Sequence, residues 1–100
     1  MIGCDVTKIS RFIDKSERFV NKILTPHELT EYKIRNNKAE YLASRWAAKE
    51  AVFKATGIKN PSILNDELGK PYIVDYPRIF ITISHEREYT FAVVLDKRNE

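Results

Sequence analysis

Glu50 stands where a packed helix face calls for an apolar side chain. The segment from Tyr41 to Thr56 reads as a helix closed by Gly57. At roughly 100° per residue, Leu42, Ala43, Trp46, Ala47, Ala51 and Phe53 fill one half of its surface. Glu50 falls inside that half, and Lys54, one turn on, falls beside it. A bare buried carboxylate is costly, so Glu50 requires a cation, hydrogen-bond donors or a metal ion. Asp5 supplies a second carboxylate from another element, the end of a short apolar segment. Converging with water, the two make a hard-cation site for magnesium, which takes one or two carboxylates plus substrate phosphate oxygens. The competing arrangement has Asp5 capping the following helix through Thr7 or Lys8, and Glu50 paired with Lys54.

Arg45, Lys49 and Lys54 lie along the same helix as Glu50. Cations beside a metal ligand suit a pyrophosphate, while the plainer alternative for Arg45 and Lys49 is a solvated helix face. Lys54 sits deeper in the apolar arc and is the stronger site candidate. Lys8, Arg11, Lys15, Arg18 and Lys22 recur at helical spacing and form either a docking surface or a solvated face, diluted by Asp14 and Glu17. His85 follows Ser84 at the end of a strand and reads as a turn residue, which becomes a ligand only if a phosphate or base edge lies near. Ser84 has no His/Asp relay partner, so a hydrolase triad is unsupported.

The elements that must position these residues follow from periodicity. Met1 to Val6 reads as a first strand. Ile9, Phe12, Ile13, Phe19, Val20, Ile23 and Leu24 then recur at helical spacing, with Ser16-Glu17 as a point where the run can break in two. Thr25-Pro26-His27-Glu28 carries a capping residue, a proline at the first helical position and a capping-box Glu, and predicts a helix to about Arg35. Asn36-Asn37 separates it from the long helix. Ile58 to Pro71 reads as a connection with turn signals at Asn60-Pro61 and Asn65-Asp66. Beyond it the period changes to two: a strand at Tyr72-Ile73-Val74, one over Ile79–Ser84 and one over Tyr89–Leu95, with His85-Glu86-Arg87-Glu88 as the turn between the last two. Helices first and a meander afterwards predict a single α+β domain over residues 1–100, an antiparallel sheet with packed helices.

Composition bounds the function. The chain of 100 residues carries a formal net charge of +3, which points to an anionic partner. Cys4 is the only cysteine, so no disulfide forms within the chain, and no clustered His/Cys pattern supports zinc. Asp5 interrupts any leader-like apolar run and no stretch approaches membrane-spanning length, so the expected location is the cytoplasm, away from the membrane. A core this small makes oligomerisation a plausible source of stability.

Several blocks occur in one order: Met1-Ile2-Gly3-Cys4-Asp5, Phe19-Val20-Asn21-Lys22-Ile23-Leu24-Thr25, Leu42 through Ala51, Lys54-Ala55-Thr56-Gly57, Gly69-Lys70-Pro71 and Ile83-Ser84-His85. Together they resemble the holo-[acyl-carrier-protein] synthases, the small bacterial class of 4'-phosphopantetheinyl transferase, over nearly the whole chain. The resemblance implies a magnesium-dependent transfer of 4'-phosphopantetheine from coenzyme A to a serine of apo acyl carrier protein, in fatty acid and lipid biosynthesis. It implies Asp5 and Glu50 as magnesium ligands and Lys54 near the coenzyme A phosphates. Arg45 and His85 match positions at the nucleotide end, and Arg11 and Arg18, with Lys22 beyond them, fall on the carrier-docking helix. It implies a homotrimer with active sites between subunits. The chain departs from the pattern in a contracted opening, a shorter first helix and a shorter connection after Gly57, which leaves the adenine contacts unassigned. The carrier serine needs a base, for which Glu50, a metal-bound water or a further residue are open candidates. A basic nucleic-acid-binding module would explain the charge but leaves Glu50 unexplained, and the strands lack the paired exposed aromatics of an RNA-binding sheet. A subunit that keeps the fold without turnover is the other alternative.

Overall fold

The computed structural model describes residues 1–100. Strand β1 (Ile2–Lys8) pairs antiparallel with β5 (Tyr89–Asp96), which pairs antiparallel with β4 (Ile79–Glu86), giving a three-stranded sheet of order β1-β5-β4. Period-two alternation sends Ile79, Ile81, Ala92 and Val94 inward, with Gly3 and Thr7 beside them. The long helix α3 (Lys38–Thr56) covers that inner face, burying Ala47, Ala48, Ala51, Val52 and Ala55 against it. Its alanines let sheet and helix backbones meet. A Cβ at Gly3 would lie 2.1 Å from the Ala51 carbonyl oxygen, so only glycine fits where β1 crosses the helix. Gly57 ends α3 in the left-handed conformation, at φ 78°, as its place after Thr56 predicts.

The other side of α3 packs a second core of Ile9, Phe12, Val20, Ile23, Leu24, Tyr41, Leu42 and Ala43. Its contributors are a single 3₁₀ turn over Ile9–Phe12 and helix α1 (Glu17–Ile23), N-capped by the Ser16 hydroxyl, which accepts from Phe19 N–H at 3.2 Å. The apolar run from Ile9 to Leu24 is thus broken near Ser16. Helix α2 (Pro26–Lys33) follows with the predicted capping box, Thr25 and Glu28 each accepting from the other's backbone N–H.

Four expectations change. Burial runs nearly all the way round α3, with Ala48 and Val52 inside, and Phe53 is 48% exposed instead of packed. The connection after Gly57 contains a strand, β2 (Ile63–Asn65), paired antiparallel with β3 (Pro71–Ile73); three residues are too few to carry a period. His85 is not a turn residue: β4 runs on to Glu86, His85 pairs with Thr90, and the reversal is made by Arg87-Glu88, with Arg87 at φ 51°. The outer face of the sheet does expose aromatics, Phe80, Tyr89 and Phe91, with Phe80 opposite Leu95 and Phe91 opposite Val6 across the strands. The architecture is α+β with an antiparallel sheet, as predicted. No helix is long and apolar enough to cross a membrane.

Candidate active site

Asp5 lies on the helix-facing side of β1, two residues beyond the Gly3 crossing, and is half-buried. Its Oδ1 accepts from Lys54 Nζ at 3.1 Å, and its Oδ2 accepts from the buried Thr7 hydroxyl at 2.7 Å. Lys54 also donates to the Cys4 carbonyl at 3.0 Å. The ammonium group therefore pins the C-terminal turn of α3 to β1, and Glu50 comes one turn before it. The predicted alternatives for these residues do not form. Asp5 caps no helix, since β1 continues to Lys8, and Lys54 pairs with Asp5 and leaves Glu50 alone. Glu50 is half-buried and makes no ion pair or hydrogen bond within the chain. It lines a small cleft of about 230 Å³ with Lys22, Trp46 and Phe53.

Lys49 is differently placed. Its Nζ donates to Glu28 Oε1 at 2.5 Å, the Ile23 carbonyl at 2.6 Å and Asn60 Oδ1 at 2.6 Å, so all three ammonium protons are used inside the fold. Burial pushes its pKa down, and the Glu28 carboxylate opposes that shift. The buried Glu28 also accepts Ile63 N–H at 2.8 Å through Oε2. One turn along each helix the motif repeats. Glu31 accepts from Arg45 Nη2 at 3.1 Å and, through Oε2, from Asn65 N–H at 2.8 Å. Two acids of α2 thus join two bases of α3 to alternate amides of β2. Sequence reasoning read Glu28 only as a cap and passed over Glu31; the sole signal was their spacing on one helix face.

Arg45 and His85 line one polar cavity of about 540 Å³, with Arg35, Asn37, Glu40 and Asn65. His85 Nε2 lies 3.5 Å from Glu40 Oε1. Neither Asp5, Glu50 nor Lys54 borders this cavity. The helix explains why: Arg45 and Lys54 are nine residues apart, which at roughly 100° per residue sets them on opposite sides of α3. One chain presents the Asp5–Lys54 contact on one side of α3 and the Arg45/His85 cavity on the other.

The model of the 4'-phosphopantetheinyl transferase superfamily matches residues 1–94. This chain belongs to that superfamily. A holo-[acyl-carrier-protein] synthase of Lactococcus lactis subsp. cremoris is 38% identical, over 95% of this chain and 92% of its own length. The crystal structure of holo-[acyl-carrier-protein] synthase from Neisseria meningitidis superposes with TM-score 0.83 at 32% identity, covering 93% of this chain and 94% of that one. The Bacillus anthracis enzyme, in complex with coenzyme A (3',5'-ADP), gives TM-score 0.80 at 28% identity, over 93% and 91%.

In this phosphopantetheinyl transferase the basic stripe is not one helix face. Lys8 ends β1, Arg11 sits on the 3₁₀ turn, Lys15 on the loop, and only Arg18 and Lys22 on α1. All five remain exposed. Arg11 and Lys15 lie over the Phe12 and Phe19 rings, at 5.6 and 5.1 Å from their centroids, which orders them without neutralising them. Lys22 borders the cleft of Glu50, so the basic surface extends to that carboxylate.

Proposed function

We propose that this protein transfers 4'-phosphopantetheine from coenzyme A to a serine of apo acyl carrier protein, releasing adenosine 3',5'-bisphosphate, in fatty acid biosynthesis in the cytoplasm. The observation that carries this reading is the Asp5–Lys54 contact between β1 and α3 with the unpartnered Glu50 one turn away, in a chain of this superfamily. The serine oxygen attacks the phosphorus nearest the pantetheine. The bond from that phosphorus to the bridging pyrophosphate oxygen breaks, and the adenosine bisphosphate departs.

Asp5 and Glu50 fit a magnesium ion by their donor chemistry. No cluster of three or more His, Cys, Asp or Glu side chains converges here, and a two-carboxylate set suits a cation that completes its shell with water and substrate phosphate oxygens. When bound, it supplies charge neutralisation on the pyrophosphate. Thr7 orients Asp5 through its hydroxyl. Lys54, 53% exposed on a flexible stem, is able to swing from Asp5 to a phosphate oxygen. Arg45 and His85 would take the nucleotide end, and Arg11, Arg18 and Lys22 would hold the acidic carrier beside Glu50. Glu50 is a candidate for accepting the serine proton.

A homotrimer accounts for two features together. The outer sheet face carries three successive cross-strand rows rich in apolar side chains, including Ile2, Leu95 and Phe80, then Val93, then Val6 and Phe91, and copies of this chain would cover them. Packing around a three-fold axis would also bring the Arg45/His85 cavity of one copy toward the Asp5 site of the next, which one chain keeps on opposite sides of α3. The test is intact-protein mass spectrometry of apo acyl carrier protein incubated with this protein, coenzyme A and magnesium. The expected result is a gain of one phosphopantetheine, lost on chelation; no gain with several carriers would overturn the reading. Light scattering on the same sample should give three copies, and a monomer would remove the shared-site argument.

A further inference from the structure

The two lysines of α3 that meet carboxylates are held very differently. Lys49 gives its three ammonium protons to Glu28, the Ile23 carbonyl and Asn60, and its side chain is 10% exposed. Lys54 has two acceptors, Asp5 Oδ1 at 3.1 Å and the Cys4 carbonyl at 3.0 Å, and its side chain is 53% exposed. One of its protons has no partner in the fold. An ammonium group on a flexible four-carbon stem, anchored that lightly, moves at little cost when a stronger acceptor arrives.

Its resting place matters because of what it covers. The other oxygen of Asp5, Oδ2, accepts from the Thr7 hydroxyl at 2.7 Å. Thr7 is buried on the inner face of β1, opposite the equally buried Thr90. A buried hydroxyl that lost this acceptor would be left unsatisfied, which fixes the rotation of the Asp5 carboxylate. Oδ1 is then the oxygen that remains for an incoming cation, and Lys54 is on it. Glu50, one turn earlier on α3, has no ion pair of its own to give up. With the ammonium in place, Asp5, Glu50 and Lys54 sum to one negative charge. With it withdrawn, the two carboxylates match the charge of a dication.

We infer that Lys54 is a displaceable counter-ion that keeps the Asp5/Glu50 site closed to a divalent cation until the pyrophosphate of coenzyme A draws it away. The inference rests on the transfer reading above. Cation and donor then assist each other's binding by more than their direct contact supplies, because each takes one half of the same ion pair. A lysine that only binds phosphate, or only pins α3 to β1, gives a different sign: its removal weakens the binding of a cation without donor, or leaves it alone.

The experiment is titration of manganese(II) into the full-length protein, followed by the electron paramagnetic resonance signal of the free ion, with protein-free coenzyme A as the blank. It reads cation binding without turnover. Wild-type protein should bind manganese weakly alone and more tightly with coenzyme A. Lys54→Met should bind manganese alone about tenfold more tightly, the scale of a half-exposed charge acting on a dication, and the gain from coenzyme A should shrink by a similar factor. Lys54→Gln removes the same charge, should show the same gain, and serves if the methionine variant fails to fold. Lys54→Arg keeps the charge on Asp5 and should leave manganese binding weak. Asp5→Asn added to Lys54→Met should abolish the gain. Unchanged or weaker binding in the neutral variants, or a gain that survives Asp5→Asn, would overturn the exchange. Wild-type protein that transfers the group yet binds manganese equally with and without coenzyme A overturns the exchange alone. Wild-type protein that transfers nothing and binds manganese in neither state overturns the transfer reading with it.

Discussion

Helix α3 carries acid–base contacts on two sides, and they are built to opposite specifications. On the α2 side, Glu28 holds Lys49 and Glu31 holds Arg45, and every one of those carboxylate oxygens accepts at least one hydrogen bond. On the β1 side, Asp5 holds a Lys54 that is half in water, and Glu50 holds nothing. The first set joins α2, α3 and β2 into one unit. Its charges, once buried, would be ruinous if separated, so they stay paired. The second keeps its charges available. A saturated pair is architecture; an unsaturated one is a place for a ligand.

That contrast can be broken from either side. Asp5→Ala or Glu50→Gln should cut transfer by about 100-fold or more, the scale of losing a group that stabilises developing charge, with melting temperature and assembly retained. Mass-spectrometric assay and thermal melting check both halves, and full activity in either variant would remove the metal assignment. Glu28→Ala should do the reverse: with Lys49 left buried and unpaired, denaturant titration should show a loss of about 3–5 kcal/mol. If Glu28→Ala melts like wild type, the saturated set is not what holds β2. Reversing the charge at Arg11 and Arg18 together should raise the apparent KM for the carrier several-fold, more at low salt than at high, without altering coenzyme A affinity. An unchanged KM would move the docking surface elsewhere.

The smallest effect concerns Tyr41. Burial raises its pKa above the ordinary tyrosine value of 10.0, against the opposing charge of Arg45, and the hydrogen bond to Glu31 raises it further. A raised folded-state pKa contributes stability that is present below pH 10.0 and lost as pH climbs toward the folded value. Ultraviolet titration of the five tyrosines should therefore find one that ionises late. Tyr41→Phe should soften the alkaline loss of stability. Five tyrosines titrating together would contradict that burial.

Much of this frame was legible in the residues. The caps at Thr25 and Glu28, the αL stop at Gly57 and the alternation of β4 and β5 are local events, set by a few neighbours, and they form where their chemistry says. Glu50 was legible as an anomaly because an acid within an apolar arc has few explanations. Phe53 failed the same arc because the last turns of α3 are covered on the sheet side, where Ala51, Val52 and Ala55 are buried, and not on the side of Phe53. β2 was hidden because its stabilisation comes from carboxylates 34 and 35 residues away in sequence.

The sequence by itself determined the element order, the α+β class, the family resemblance and the anomaly of Glu50 among apolar neighbours, since these depend on residue type and spacing along the chain. Only the tertiary structure decided partnership. Lys54 belongs to Asp5, 49 positions away, Lys49 to Glu28 and Arg45 to Glu31. Spacing on one helix tells which residues share a face, but an ion pair is chosen by whichever element that face meets.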